Sequence, residues 1–278
     1  MKSLFQIFSS LILQKDSVLC IGLDPALPQQ RNNNTIPSKY IDRYNENDSR
    51  LNFCLDIINE VSDYCIAAKP NHQYIFGFSK KEHQVLTASI REHGMLSILD
   101  YKLNDIKDSV ESSIFHILDC GYDAVTFNPL MGNMRETVGF AHSMGEKRRG
   151  QELGIIVLTL TSNPEALKYM KNANCPDSPM YLNIANEIKL TEADGAVVGA
   201  TGHITETDIS KIRNTIGDDK LLLIPGVGTQ KGDFEKIIKC GGKNITINVG
   251  RDIIYSANPK EIAKKYNESF NIIRRIQK

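Results

Sequence analysis

The chain lacks the marks of several large protein classes. Its 33 basic and 33 acidic residues cancel to zero formal net charge. No electrostatic footprint therefore points to nucleic acid or to an anionic membrane as partner. No apolar run approaches the ~20 residues that cross a bilayer. The six cysteines (Cys20, Cys54, Cys65, Cys120, Cys175 and Cys240) form no C-x-x-C pair. That argues against a disulfide framework or a zinc site and fits a reducing, cytoplasmic setting. Cys20 and Cys65 lie inside apolar runs and read as core thiols. The six histidines show no H-E-x-x-H or triad context, and neither G-x-S-x-G nor a P-loop occurs. Chemistry on this chain falls to aspartate and lysine.

What is present is an ordinary globular composition, 41% hydrophobic and 24% charged over 278 residues, enough for one large domain or two modest ones. Near the N-terminus, Leu4, Phe5, Phe8, Leu11 and Ile12 fall at helical spacing. Gln6, Ser9 and Ser10 interrupt the stretch and no small-residue cleavage site follows. The expectation is a helix over about residues 1–16 packed on the domain, not a signal peptide. Eight near-continuous apolar runs follow: Val18–Leu23, Cys65–Lys69, Met95–Leu99, Ala124–Phe127, Ile155–Leu160, Ala196–Val198, Leu221–Ile224 and Ile245–Val249. Continuous runs, rather than alternating ones, are how strands of a parallel sheet read when both faces are covered. Helical patterns separate them, with start signals such as Thr205 followed by Asp208, and Asn258 before Pro259. Eight β-α alternations predict a single-domain (β/α)₈ TIM barrel, with a doubly wound sheet as the alternative. Residues 29–49, rich in Asn, Arg and Asp, read as a mobile polar insertion, 173–179 as a second loop, and 146–151 as a solvated helix end.

In a barrel the C-terminal ends of the strands host the site. After the third run stands Asp100-Tyr101-Lys102-Leu103-Asn104-Asp105. Strand alternation points Asp100 and Lys102 the same way, and Asp105 falls where the next helix starts. The other runs end in Asp24-Pro25, Lys69-Pro70-Asn71, Asn128-Pro129, Thr161-Ser162-Asn163-Pro164, Pro225-Gly226-Val227-Gly228-Thr229-Gln230 and Gly250-Arg251. Taken singly, each has a plain structural reading. Asp24 caps a turn, Lys69 snorkels, Asp100 and Lys102 form an ion pair, and Arg251 lies on the surface. Their convergence on one barrel mouth favours a site. Loops after strands seven and eight are the usual phosphate site of this architecture. The glycines there admit backbone N–H groups to phosphate oxygens, and Arg251 can clamp them. The glycines do not make a dinucleotide fingerprint, because Gly232 comes one residue late and no acidic residue ends a next strand.

Over nearly its whole length this pattern resembles the orotidine 5′-phosphate decarboxylase family. The blocks are Gly22-Leu23-Asp24-Pro25, Lys69-Pro70-Asn71, Asp100-x-Lys102-x-x-Asp105-Ile106, Thr161-Ser162-Asn163-Pro164, Pro225 to Gln230 and Asn248-Val249-Gly250-Arg251, in the family's order. The K-P-N and T-S-N-P forms resemble the branch found in apicomplexan parasites and some bacteria. The resemblance implies cofactor-free, metal-free decarboxylation of orotidine 5′-monophosphate to uridine 5′-monophosphate, the last step of de novo pyrimidine nucleotide synthesis. It implies a charged network of Lys69, Asp100, Lys102 and Asp105, with Lys102 as proton donor. Asp105, Ile106 and Ser109 would reach into the neighbouring site of a homodimer. Asp24 and Lys69, with Asn71 nearby, would hold the ribose, and Thr161 and Ser162 the pyrimidine edge. Gln230, Gly250 and Arg251 would hold the phosphate, with Pro225 lining the pocket. The family's usual Thr is Ser109 here, which keeps the hydroxyl and loses the methyl. An orotate phosphoribosyltransferase is a candidate partner, as a separate enzyme on grounds of length.

Two other readings compete. A magnesium-dependent sugar-phosphate decarboxylase of the same suprafamily, such as a 3-keto-gulonate-phosphate decarboxylase, shares the D-x-K-x-x-D stretch. It needs an acidic residue at the end of strand two, where this chain has Lys69. A non-catalytic barrel that binds nucleotide phosphate would not need the intact charged tetrad.

Overall fold

The computed structural model describes residues 3–176, 178–226 and 231–276. Eight parallel strands close into a barrel in sequence order: β1 (Leu19–Leu23), β2 (Ala67–Pro70), β3 (Leu96–Leu103), β4 (Ala124–Phe127), β5 (Gly154–Leu160), β6 (Gly195–Val198), β7 (Leu221–Pro225) and β8 (Ile245–Val249). Closure is made by β1 against β8, with Leu19 opposite Ile247 and Ile21 opposite Val249. Each apolar run of the sequence is one of these strands. Four strands, β1, β2, β4 and β6, are buried at every position, and the others are buried apart from single half-buried residues in β5, β7 and β8 and the polar end of β3, because helices cover the outside and side chains fill the inside. The expected core thiols Cys20 and Cys65 are fully buried. Among the described residues no helix is long and apolar enough to cross a membrane.

Some of the helices start on local signals readable in the sequence. Thr205 and Asp208 form a reciprocal capping box at the start of a helix over Glu206–Ile216, and Asn258 accepts from the Glu261 N–H ahead of Pro259–Ile276. The N-terminal helix, α1 (Leu4–Lys15), starts on a capping box between Ser3 and Gln6. It buries Leu4, Phe8 and Ile12 against the lower end of the barrel. Gly154 opens β5 there because a Cβ would stand 2.2 Å from Leu4 Cδ2. Also at this lower end, His142 sits between two carboxylates. Its Nε2 is 2.9 Å from Asp194 Oδ2 and its Nδ1 is 3.9 Å from Glu152 Oε1. Asp194 Oδ2 also accepts the Ile155 N–H at 2.8 Å.

Three expectations are corrected. The third strand does not end at Leu99 but runs to Leu103, taking Asp100 and Lys102 into the sheet. Its pairing with β4 shifts between Leu99 and Leu103, and Lys102 adopts a left-handed φ of 54°. Regular alternation is therefore not what brings Asp100 and Lys102 together. Second, residues 29–49 are not a free polar loop. Ile36 and Tyr40 are buried, a short helix α2 spans Ser38–Ile41, and α3 (Glu46–Val61) begins inside the segment on an Asn45 cap. Third, the helix end at 146–151 is not fully solvated, because all three guanidinium nitrogens of Arg149 are buried.

Candidate active site

The upper mouth of the barrel holds a cavity of about 300 Å³. Asp24 and Asn71, from just beyond β1 and β2, line it with Lys69 of β2 and Asp100 of β3. From the other side come Pro225 and Gly226 at the end of β7, and Asn248, Gly250 and Arg251 at the end of β8. Gly22 lets those two sides approach, because a Cβ there would meet the Asn248 amide at 3.0 Å and Gly250 Cα at 3.2 Å. Arg251 opens a short helix over Arg251–Ile254, with Gly250 as its N-cap residue.

Asp100 is the centre of the charge network. Its Oδ2 accepts a hydrogen bond from Lys69 Nζ, and its Oδ1 accepts one from Lys102 Nζ at 2.7 Å. The Thr126 hydroxyl, from β4, donates to the same Oδ1 at 3.2 Å and accepts the Lys102 backbone N–H at 2.9 Å. This hydroxyl pins both the carboxylate and the unusual backbone of Lys102. A non-glycine residue held in the left-handed region at a site is strain that the surroundings must hold in place. Burial pushes the Asp100 carboxyl up, but the ammonium groups of Lys69 and Lys102 outweigh it and hold the carboxyl far below the usual carboxylate range. Burial pulls Lys69 down, and the carboxylates of Asp100 and Asp24 more than reverse this, leaving it above the ordinary lysine value. The network is therefore one anion between two cations, assembled before substrate arrives. Beneath it, burial pushes the Cys20 thiol up to about 12, so that thiol is neutral.

The structure brings Asp24, Lys69, Asn71, Asp100, Pro225, Gly250 and Arg251 to one cavity, with Lys102 joined through Asp100. Ser162 stands at its edge, its Oγ 3.8 Å from where a Gly226 Cβ would be. Thr161 donates to Asn163 Oδ1 at 2.7 Å. Asp105 is outside the network. It is exposed and its Oδ1 accepts from the Ile106 N–H at 2.7 Å. Ile106 and Ser109 are exposed beside it. Gln230 lies outside the described residues. Two residues were given no role by sequence reasoning. Thr126 sits in an apolar run, where threonine reads as an ordinary strand former. Asn248 presents a buried Oδ1 without a protein partner next to the cavity, and its signal was its place two residues before Gly250.

Residues 17–266 match the family described as orotidine 5′-phosphate decarboxylase / HUMPS. An orotidine 5′-phosphate decarboxylase from Cupriavidus necator is 31% identical over 263 residues, covering 90% of this chain and 88% of its own. A Plasmodium berghei orotidine 5′-monophosphate decarboxylase structure superposes with a TM-score of 0.78 at 20% identity over 98% of each chain. The Leishmania donovani UMP synthase structure aligns with 99% of this chain at a TM-score of 0.76 and 24% identity. The chain spans only 57% of that longer protein. The last two likenesses speak to the fold, and the family match together with the bacterial relative settles kinship: the chain belongs to the orotidine 5′-phosphate decarboxylase / HUMPS family.

Proposed function

We infer that this chain decarboxylates orotidine 5′-monophosphate to uridine 5′-monophosphate and CO₂, closing de novo pyrimidine synthesis. The observation that carries the reading is the Lys69–Asp100–Lys102 network, whose Lys69 and Asp100 line the mouth cavity. The C6–carboxylate bond breaks, CO₂ leaves, and the electron pair stays on C6. Lys102 stabilises that charge in a water-poor pocket, transfers its ammonium proton to C6, and is reprotonated from solvent. Asp100 orients Lys102 and opposes the substrate carboxylate in the ground state. Asp24 and Lys69, with Asn71, hold the ribose, and Thr161 and Ser162 the pyrimidine edge. Arg251, Gly250 and Gln230 hold the phosphate beside Pro225, and this distant contact supplies binding energy to the reacting carbon.

The magnesium-dependent alternative is disfavoured by Lys69, whose buried ammonium stands where such a metal would need a carboxylate. Turnover of orotidine 5′-monophosphate in EDTA, followed by absorbance, tests the reading. Full activity is expected, and loss restored by Mg²⁺ would reverse it. Lys102→Ala should lower kcat by about 10³-fold or more, and retained turnover would sink the mechanism.

The working unit in this reading is a homodimer with shared sites. Asp105 and Ser109 face solvent rather than their own Asp100, and Ile106, Leu130 and Met131 are exposed apolar side chains on neighbouring loops. Mixing inactive Lys102→Ala and Asp105→Ala subunits should restore partial activity, and hybrids without activity would refute sharing. The six free cysteines fit a cytoplasmic setting. An orotate phosphoribosyltransferase, which makes this substrate, is the candidate partner.

A further inference from the structure

The polar segment after β1 has no role in the reading above, yet it returns to the site. Beyond Asp24 the chain folds into a closed turn. The Leu27 N–H donates to Gln30 Oε1 at 3.0 Å, the Gln30 N–H to Leu27 O at 2.9 Å, and the Ile36 N–H to Ala26 O at 2.8 Å. Ile36 anchors the turn in the core. The Tyr255 hydroxyl fixes its base, donating to Asp24 O at 2.6 Å and accepting the Ala26 N–H at 2.9 Å. This geometry carries Arg31 back over the strand ends. Its Nη2 lies 4.0 Å from Asp24 Oδ2 and is hydrogen bonded to the Tyr74 hydroxyl. Its guanidinium carbon lies 4.6 Å from the centre of the Tyr74 ring. Its Nη1 is buried without a protein partner.

We propose that Arg31 is a positioning residue that holds Asp24 in the orientation that receives the ribose hydroxyls. The physical need is clear from the charges. Asp24 lines the cavity with the Lys69 ammonium on its inner side, close enough to raise that lysine's proton affinity. With only that cation present, the carboxylate would turn inward to it. A second cation on the outer side, stacked on Tyr74 and so unable to follow the substrate, balances the pull. At 4.0 Å the pair is coulombic rather than a tight bidentate bond, which leaves carboxylate lone pairs for substrate hydroxyls. Tyr74 follows Asn71 in the turn after β2, so the guanidinium ties the first two strand ends together.

The inference rests on Asp24 being a ribose ligand, and the test separates the two claims. KM and kcat are measured for wild type, Arg31→Ala, Arg31→Lys, Asp24→Asn and the double variant Arg31→Ala with Asp24→Asn. Arg31→Ala should raise KM about tenfold with kcat changed less than about twofold, the signature of lost binding common to ground and transition states. Arg31→Lys should recover part of the loss. In the Asp24→Asn background, Arg31→Ala should change KM by less than about twofold, because the group it acts through is gone. An Asp24→Asn variant with wild-type KM would overturn the ribose reading and this inference with it. A raised KM in Asp24→Asn, with an equal further loss on adding Arg31→Ala, would overturn the inference alone. So would an Arg31→Ala variant with unchanged KM.

Discussion

Replacing Asp100 with alanine would leave two ammonium groups facing a vacated carboxylate position. Lys102 is half exposed and can retreat to water, whereas Lys69 is 5% exposed and donates to Asp100. The loss therefore falls on Lys69. Removing one partner of a buried pair costs about 3–5 kcal/mol. The remaining attraction of Asp24 puts the expected cost at the low end, about 3 kcal/mol. For a domain of this size that lowers Tm by about 6–12 °C. The pH dependence has a definite sign. In the wild type the folded pKa of Lys69 lies above its unfolded value. Its contribution is therefore complete below the unfolded pKa and is lost as pH rises through the folded one. In the variant, burial acts without its main counter-charge, and the folded pKa drops below the unfolded value of about 10.4. The unfolded chain then binds more protons, so the variant gains stability as pH rises between the two values. Urea unfolding of both proteins at about pH 7 and about pH 9.5 reads the effect directly. A cost under about 1 kcal/mol at neutral pH, or one that does not shrink at alkaline pH, would refute the view that Asp100 holds a buried charge in place.

Two further outcomes follow from other parts of the molecule. Arg251→Ala should weaken uridine 5′-monophosphate binding by about 100-fold, as expected for a lost charge-assisted phosphate clamp, while barely changing uridine binding in calorimetry; equal effects on the two would remove its phosphate role. At the lower end of the barrel, burial pulls the His142 imidazole down, but the hydrogen bond and charge of Asp194, with Glu152, raise it above its ordinary value. Its contribution to stability is therefore complete below about pH 6.5 and fades as pH rises through the folded pKa. Accordingly, His142→Ala should destabilise more in mildly acidic than in alkaline buffer, and an equal loss at both would show that the imidazolium is not what matters.

The barrel was legible because each strand is a continuous apolar run, as strands of a covered parallel sheet are, and eight such βα units favour closure over a doubly wound sheet. The end of β3 was not, because Asp100 and Lys102 look like the start of a loop until Thr126 is seen to hold them in the sheet. The start of α3 was hidden in an Asn- and Asp-rich stretch, although Asn45 three residues before Asp48 is itself a cap signal. The gathering of Asp24, Lys69 and Asp100 could be anticipated from strand ends alone, since barrel closure forces them together. Arg31 could not, because a turn closed by backbone hydrogen bonds and one buried isoleucine leaves no periodic trace.

The seat of α1 also has a consequence for how the chain is made. Leu4 leaves the ribosome well before the surface it rests on, because Gly154 is synthesised about 150 residues later, and Asn244, which bonds Ser9, later still. At about 5–20 residues per second, the amphipathic helix waits roughly 8–30 s without its binding surface. During that interval its apolar stripe is open to chaperones or to other nascent chains. Weakening the Leu4–Gly154 contact would therefore show first as a lower yield of folded protein during translation, before any change in the activity of the molecules that do fold.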